Sequence, residues 1–453
     1  MYTYLGLIIF VLLVIALNIK IYNVDILSPS FLYNIAMLMA IVCSFMGILW
    51  WNDIKTLSFG TVMIIILSVL SFNIGEFFAR KLFDKNYKIK NSKNSFQNVP
   101  TYKFLMQLFF VLFVFALVYH EVYRISTIVG YKGENIFEMI KLYRLTSILF
   151  STKYIEAGIH INIIVAQLQK IAEVICYVNI YLLVDSTLNK NILKNKNNIV
   201  SLFIVIACIA MSLLIGSRMQ MIIYILFAAI VCIIMLCQKY SYMDLIKKYW
   251  ISAIAVIIIA IGCFYVILPI TGRKTNSNIF EYTTFYFGAS IPSLNRYLEE
   301  DHVPNESFGQ ETFRGFQNIS YKLKLSNTIH PITTKWESFE TKHNTKMSSN
   351  IYTSCKRYYN DFGYIGIILL QFLNGFVFAT LYVIMKKNSS ALYIIIYSMF
   401  IYMVIDQIRD EYLFSTFIHI NTIFKLIVLY CLIYFLSHNW GEFKNEIKNR
   451  KFN

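Results

Sequence analysis

Arg218 in "IGSRMQ", Arg273 just after "LPITG", Arg357 in "SCKRYYNDFG" and Arg409 in "DQIRDEY" each stand at the end of an apolar run. A guanidinium is planar, always charged and able to donate two bonds at once, which suits it to phosphate. These four groups around one cavity would hold a phosphorylated substrate, with Arg357 and Arg409 as catalytic groups and Arg218 and Arg273 as binding groups. Lys274 and Arg314 add positive charge to the same binding set, and Tyr352 and Tyr358 are further candidate binding residues. Asp361, four residues after Arg357, is the third candidate catalytic residue, a base or an orienting group for Arg357 or an acceptor hydroxyl. It also precedes an apolar run, where a carboxylate would cap a helix beginning near Phe362. Clustered metal-ligand spacings are absent, so no metal is expected.

The elements that position these residues are membrane helices. A chain that is 57% hydrophobic and only 15% charged is too apolar for an ordinary soluble domain. A bilayer core needs about 20 apolar residues per helix, and about 11 such runs are present. They cover 2–18, 31–51, 57–77, 104–122, 158–184, 199–215, 219–237, 251–269, 364–385, 391–405 and 413–436. The expected fold is therefore all-α and integral to the membrane: one polytopic bundle, 1–453, with one large loop at 270–362.

Orientation follows from basic residues, which collect in cytoplasmic loops. Seven cations from Arg80 to Lys103, then Lys190, Lys194 and Lys196, then Lys239, Lys247 and Lys248, then Lys386 and Lys387, and finally the tail "KNEIKNRKFN" all fall on one side by parity. That side is read as cytoplasmic and the 270–362 loop as extracytoplasmic. The net charge of +16 is then mostly a topology signal with membrane lipids as partners. Nucleic acid is excluded, since no soluble domain or recognition motif accompanies the charge. Most cysteines lie inside apolar runs as packing residues.

A loop of that length is expected to be functional. Its segments "FEYTTFYFGASIPSLNRYL" and "TFRGFQNISYKL" interleave aromatic residues with Arg and Asn, which suits either a sugar-binding surface or the membrane interface. Asp361, Phe362 and Gly363 spell a kinase triplet without a Gly-rich loop or HRD segment, and no Walker A sequence is present. Lys170 and Glu173 share one face of an apolar helix, as a structural ion pair or a functional site.

"NIYTSCKRYYNDFGYIG" at 350–366, "GSR" at 216–218, "FYFGASIPSLNRYL" and "IRDEYLFSTF" resemble, in order and placement, the oligosaccharide repeat-unit polymerases of the Wzy type. The resemblance spans roughly 216–417. It implies an architecture similar to the C-class membrane glycosyltransferases and an enzyme of the bacterial cytoplasmic membrane with its C-terminus inside. Its activity would be polymerisation of undecaprenyl-pyrophosphate-linked oligosaccharides into O-antigen or capsular polysaccharide, without a cofactor. A chain-length regulator and a flippase would be further partners. The outer loop has no Arg followed eleven positions later by Gly, a spacing proposed for some relatives. Two other classes stay open: an O-antigen ligase, which would use His302, His330 or His343, and a lipid-linked oligosaccharide flippase or other transporter.

The orientation is directly testable. With Cys355 replaced by Ser, a cysteine at Asn318 is expected to react with an impermeant thiol reagent in intact protoplasts and one at Asn91 to stay unlabelled. The reverse pattern would invert the topology.

Overall fold

The computed structural model describes residues 2–52, 54, 56–83, 96, 99–133, 135–146, 159–188, 196–269, 278–300, 308–325, 335–342 and 346–438. Among the described residues, these helices come first: α1 (Tyr2–Ile21), α2 (Pro29–Met46), α3 (Phe59–Phe83), α4 (Thr101–Ile128), α5 (Ile136–Arg144), α6 (Ile163–Leu188), α7 (Lys196–Leu214), α8 (Arg218–Cys237) and α9 (Tyr242–Val266). The long loop holds α10 (Ile279–Gly288), α11 (Ser290–Glu299), α12 (Arg314–Lys322) and a hairpin of β1 (Glu337–Glu340) and β2 (Lys346–Ser349). After it come α13 (Ser354–Asn388), α14 (Ala391–Phe400) and α15 (Ile420–Ser437).

Among the described residues, ten helical stretches are long and apolar enough to cross a membrane, so the chain is a polytopic, mainly α-helical membrane protein. The remaining expected run, 251–269, falls largely in α9. Apolar side chains point outward along the spans, as with Phe109 at 79% and Ile164 at 68% exposure, which only a hydrocarbon solvent makes favourable.

Several expected boundaries shift by a few residues, and two of the runs change in kind. The run 364–385 belongs to a helix that begins ten residues earlier, at Ser354, and is broken at Gly363, where φ is 62° and ψ −151°. That backbone region is essentially reserved for glycine, so the break is a property of the sequence. The expected run 413–436 also divides: Leu413–Phe417 forms a π-helical turn, and the span itself starts at Ile420. Helix α5 was not expected at all. It is built on Ile136, Met139, Ile140 and Tyr143, an apolar stripe one face wide, with Asn135 capping its start by accepting from the Phe137 amide.

Helix α13 packs along α3 through glycines. A Cβ on Gly75 would lie 2.1 Å from the Phe372 carbonyl oxygen, and one on Gly375 would lie 2.0 Å from the Phe72 carbonyl oxygen. Small residues let helix backbones touch where lipid supplies no hydrophobic drive for association. At one end of this pair a buried ionic group ties three helices. Glu76 accepts from the Ser30 amide at 2.6 Å, the Ser28 hydroxyl at 2.9 Å and Arg80 Nε at 2.6 Å, so it caps the start of α2 from α3. Arg80 also reaches Asp25 at 3.1 Å, and the Tyr382 hydroxyl of α13 donates to Asp25 at 2.6 Å.

At the other end the loop folds into a lobe with its own core of Trp51, Phe285, Ala289 and Phe339. The antiparallel hairpin pairs Glu337 with Ser349 and Glu340 with Lys346, and Trp51 bridges to Thr341. Gly288 lets α10 approach α2, since a Cβ there would meet the Ser44 nitrogen at 2.5 Å. Cys355 is not accessible, because it is buried with its thiol 3.1 Å from the Ser68 hydroxyl.

Gly375→Val is expected to destabilise the protein by about 3 kcal/mol or more, since the contact is backbone and cannot yield. Gly6→Val on α1, where a Cβ meets nothing within 4 Å, serves as the control. Thermal unfolding in detergent compares the two, and equal melting would remove the α3–α13 contact as the organising one.

Candidate anion site

Gly216, at φ +72°, ends α7 and turns the chain into α8, whose first residue is Arg218. A Cβ on Gly216 would sit 3.3 Å from the Arg144 Cβ, so the tight turn sets the last residue of α5 against the first of α8. Arg218 is only 3% exposed and has no carboxylate within ion-pair distance among the described residues. Its Nη2 donates to the Tyr282 hydroxyl at 3.0 Å, while Nε and Nη1 have no hydrogen-bond partner. The guanidinium lies 4.3 Å from the Phe264 ring centroid and 5.9 Å from that of Tyr286. Arg144 is buried too, and burial together with the charge of Arg218 lowers its pKa.

Arg409 approaches from the turn after α14 and covers the same Tyr286 ring at 4.8 Å. Its Nη1 donates to Asp406 at 3.4 Å and to the Met219 sulfur, and its Nε is buried without a partner. Burial opposes the charge on Arg409, but Asp406 more than offsets this and raises its pKa. Arg144, Arg218 and Arg409 thus converge on two tyrosines with Asp406 as the carboxylate among them. A buried charge without a counter-ion is costly, so Arg218 in this arrangement suits an anion with several oxygens.

A second charged group is fully matched. Arg357 grips Asp410 with Nε at 2.7 Å and Nη2 at 2.6 Å, and its Nη1 reaches the Glu311 carbonyl at 3.2 Å. Lys356 pairs with Glu311 at 2.7 Å, and Asn360 donates to the same carboxylate at 2.7 Å. Arg314 is half-buried, and burial followed by the charge of Arg357 lowers its pKa.

Asp361 is not at the start of α13 but lies two residues before its break at Gly363. Its carboxylate accepts from the Thr312 amide at 2.7 Å and the Glu311 amide at 3.2 Å, holding the turn that leads into α12. Neither is it the partner of Arg357, because Asp410 fills that place. Tyr358 is fully buried and donates to Glu411 at 3.3 Å while Asn374 donates to it at 2.9 Å. Tyr352 is buried and bonds Glu337 of the hairpin at 3.0 Å. Neither tyrosine offers a face to a sugar. Of the aromatic segment 280–298, Phe285 joins the lobe core, and Tyr282 and Tyr286 stack around the arginines instead of facing solvent.

Glu411 is buried and accepts from the Phe414 amide at 2.8 Å and the Ser415 amide at 2.9 Å, capping the π-helical turn. Burial pushes its carboxyl up to about 7 against the opposing pull of those amides and Arg357. Deeper in the bundle, Glu173 pairs with Lys425 at 2.7 Å and accepts from Gln220 at 3.2 Å, whereas Lys170 donates to Asn421 at 2.7 Å. Lys170 and Glu173 are therefore directed to different partners on α15, not to each other.

The structure thus brings Arg218 and Arg409 together, sets Arg357 one residue away through Asp410, and bonds Asp361, Tyr352 and Tyr358 to Thr312, Glu337 and Glu411. Arg273, Lys274, His302, His330 and His343 lie outside the described residues. Arg144, Asp406, Asp410 and Glu311 complete the site and were not expected from the sequence. No family model, curated protein or solved structure matches the chain.

A carboxyl raised in the folded state adds most stability below its unfolded pKa and loses it as pH rises through the folded value. Wild-type protein is therefore expected to lose stability between about 4.3, the unfolded value, and about 7. Glu411→Gln flattens this loss even though it sacrifices one amide bond. Melting temperatures at about pH 5 and about pH 8, bracketing that window, measure it, and an unchanged slope would contradict the assignment.

Proposed function

We propose that the chain is a polymerase of lipid-linked glycans of the Wzy type, working at the extracytoplasmic face of the bacterial cytoplasmic membrane. The observation that carries the reading is Arg218, a guanidinium 3% exposed with two nitrogens lacking partners, beside Arg144 and facing Arg409 across Tyr286. Such a group fits the pyrophosphate of an undecaprenyl-pyrophosphate donor, which arrives charged and gains charge as its bond to the sugar breaks. Fixed donors in a water-poor site stabilise developing charge without reorganising.

In the transfer, the acceptor hydroxyl oxygen bonds to the anomeric carbon of the donor as the bond from that carbon to the pyrophosphate oxygen breaks. The lipid pyrophosphate leaves with the electron pair and takes up the hydroxyl proton on its freed oxygens. Arg144, Arg218 and Arg409 bind the pyrophosphate, and Arg409 and Arg218 follow the charge as it grows. Arg357 and Asp361 act at one remove in this reading, holding the lobe through Asp410 and Thr312. The basic loops of the opposite end face the cytoplasm and anionic lipid headgroups.

Deletion of the gene is expected to leave single repeat units on the lipid carrier, and plasmid-borne wild type to restore the ladder. Arg218→Ala should lower polymer formation by about 100-fold or more, and Arg218→Lys should recover only part of it, because a point charge cannot reproduce the planar fork. Polymer of full length from Arg218→Ala, at normal protein level on a blot, would remove the pyrophosphate site. Long unattached chains in the deletion strain would instead indicate a ligase.

A further inference from the structure

Helix α12 and its flanks present an apolar surface that the site does not use. Gly315 lies against the π-helical turn, where a Cβ would meet the Phe414 carbonyl oxygen at 2.5 Å, and the Phe313 ring stands edge-on to Phe414 at 5.1 Å. With that side of the element seated on protein, other side chains point away. Phe308 is 81% exposed, Phe316 45%, Tyr321 47%, Leu323 63% and Leu325 77%. This is a concentrated apolar exposure in 18 residues that also carry the exposed Lys324.

What covers the surface follows from its neighbours. The Phe308 ring packs at 5.0 Å on Phe362, the residue before the break at Gly363 where the long span of α13 begins. Just beyond, Ile365 is 69% and Leu369 57% exposed on that span. On the other flank the π-helical turn runs into α15, where Ile420 is 53% and Ile423 59% exposed. The surface is thus continuous with the outward apolar faces of two candidate spans at the point where both begin. Amphipathic segments of this composition lie in the plane of the membrane boundary, apolar face down.

We infer that residues 308–325 form an interfacial anchor whose exposed aromatic and aliphatic side chains insert into the lipid boundary layer beside α13 and α15. The anchor holds Arg314 next to Arg357 at the level of the headgroups. This inference rests on the exposure and continuity alone and is independent of the polymerase reading.

The test uses the full-length protein in phosphatidylcholine vesicles, with Cys431 replaced by Ala. An environment-sensitive fluorophore is placed on a cysteine at Leu325 or at Phe316, and a third variant carries it at Glu340 on the exposed hairpin. Phosphatidylcholine brominated on the upper acyl chain is expected to quench the Leu325 and Phe316 probes by about half, and the Glu340 probe by little. Two labelled positions keep the test informative if one variant misfolds, since Leu325 lies beyond the end of α12. Quenching no greater than at Glu340 would overturn the anchor and leave protein, another segment or a second copy, as the cover. Full polymer formation by a labelled variant that is quenched supports the anchor and leaves the catalytic question untouched.

Discussion

Everything in this molecule is hung on one contact, the close crossing of α3 and α13. With Gly75 and Gly375 facing backbone, the two helices approach until carbonyl oxygens occupy the space a methyl would need. A contact of that kind fixes separation and rotation together, because neither side has a flexible group to move. It places Glu76 and Arg80 of α3 near Tyr382 of α13 at one end, where Asp25 closes the group. At the other end it sets the short helix before Gly363 where Lys356, Arg357, Asn360 and Asp361 all reach the lobe or the turn after α14.

The two ends solve the same electrostatic problem differently. Buried charge is tolerable when paired and hydrogen-bonded, and the Asp25, Glu76 and Arg80 group meets that condition within the protein. Lys356 with Glu311 and Arg357 with Asp410 meet it as well. Arg218 does not, and aromatic rings are a partial substitute for a carboxylate because they offer only their quadrupole. The contrast between Arg357, gripped by a carboxylate, and Arg218, set among rings, is one of charge compensation: the first is neutralised within the protein and the second is not.

The sequence made the spans legible because twenty apolar residues in a row have few soluble explanations. It also exposed Arg218 and Arg409, since a charge in a short turn between two spans has nowhere else to be. Arg144 stayed hidden because its importance depends on the Gly216 turn, which is distant in sequence. Asp410 stood in view within "DQIRDEY", but its direction toward Arg357 is set by a turn that no periodicity encodes. Tyr358 has the chemistry of a binding group, and its burial is not legible because the break at Gly363 separates it from the apolar register of the span. Once the chain is folded it lies inward with Asn374 and Glu411. Asp361 is similar: a carboxylate before an apolar run looks like a cap, whereas in the folded chain it accepts from the Glu311 and Thr312 amides.

Arg409, Asp410 and Glu411 are consecutive, yet each is bonded into a different part of the molecule: the arginine cluster, Arg357 below the lobe, and the π-helical turn leading into α15. Adjacent α-carbons are held about 3.8 Å apart by covalent geometry, so the three attachments share one short piece of backbone. This turn is a junction under three constraints, and a displacement imposed at one arm has to be absorbed by the other two. The position of Arg409 among the tyrosines and the seating of the lobe are in that sense a single mechanical variable.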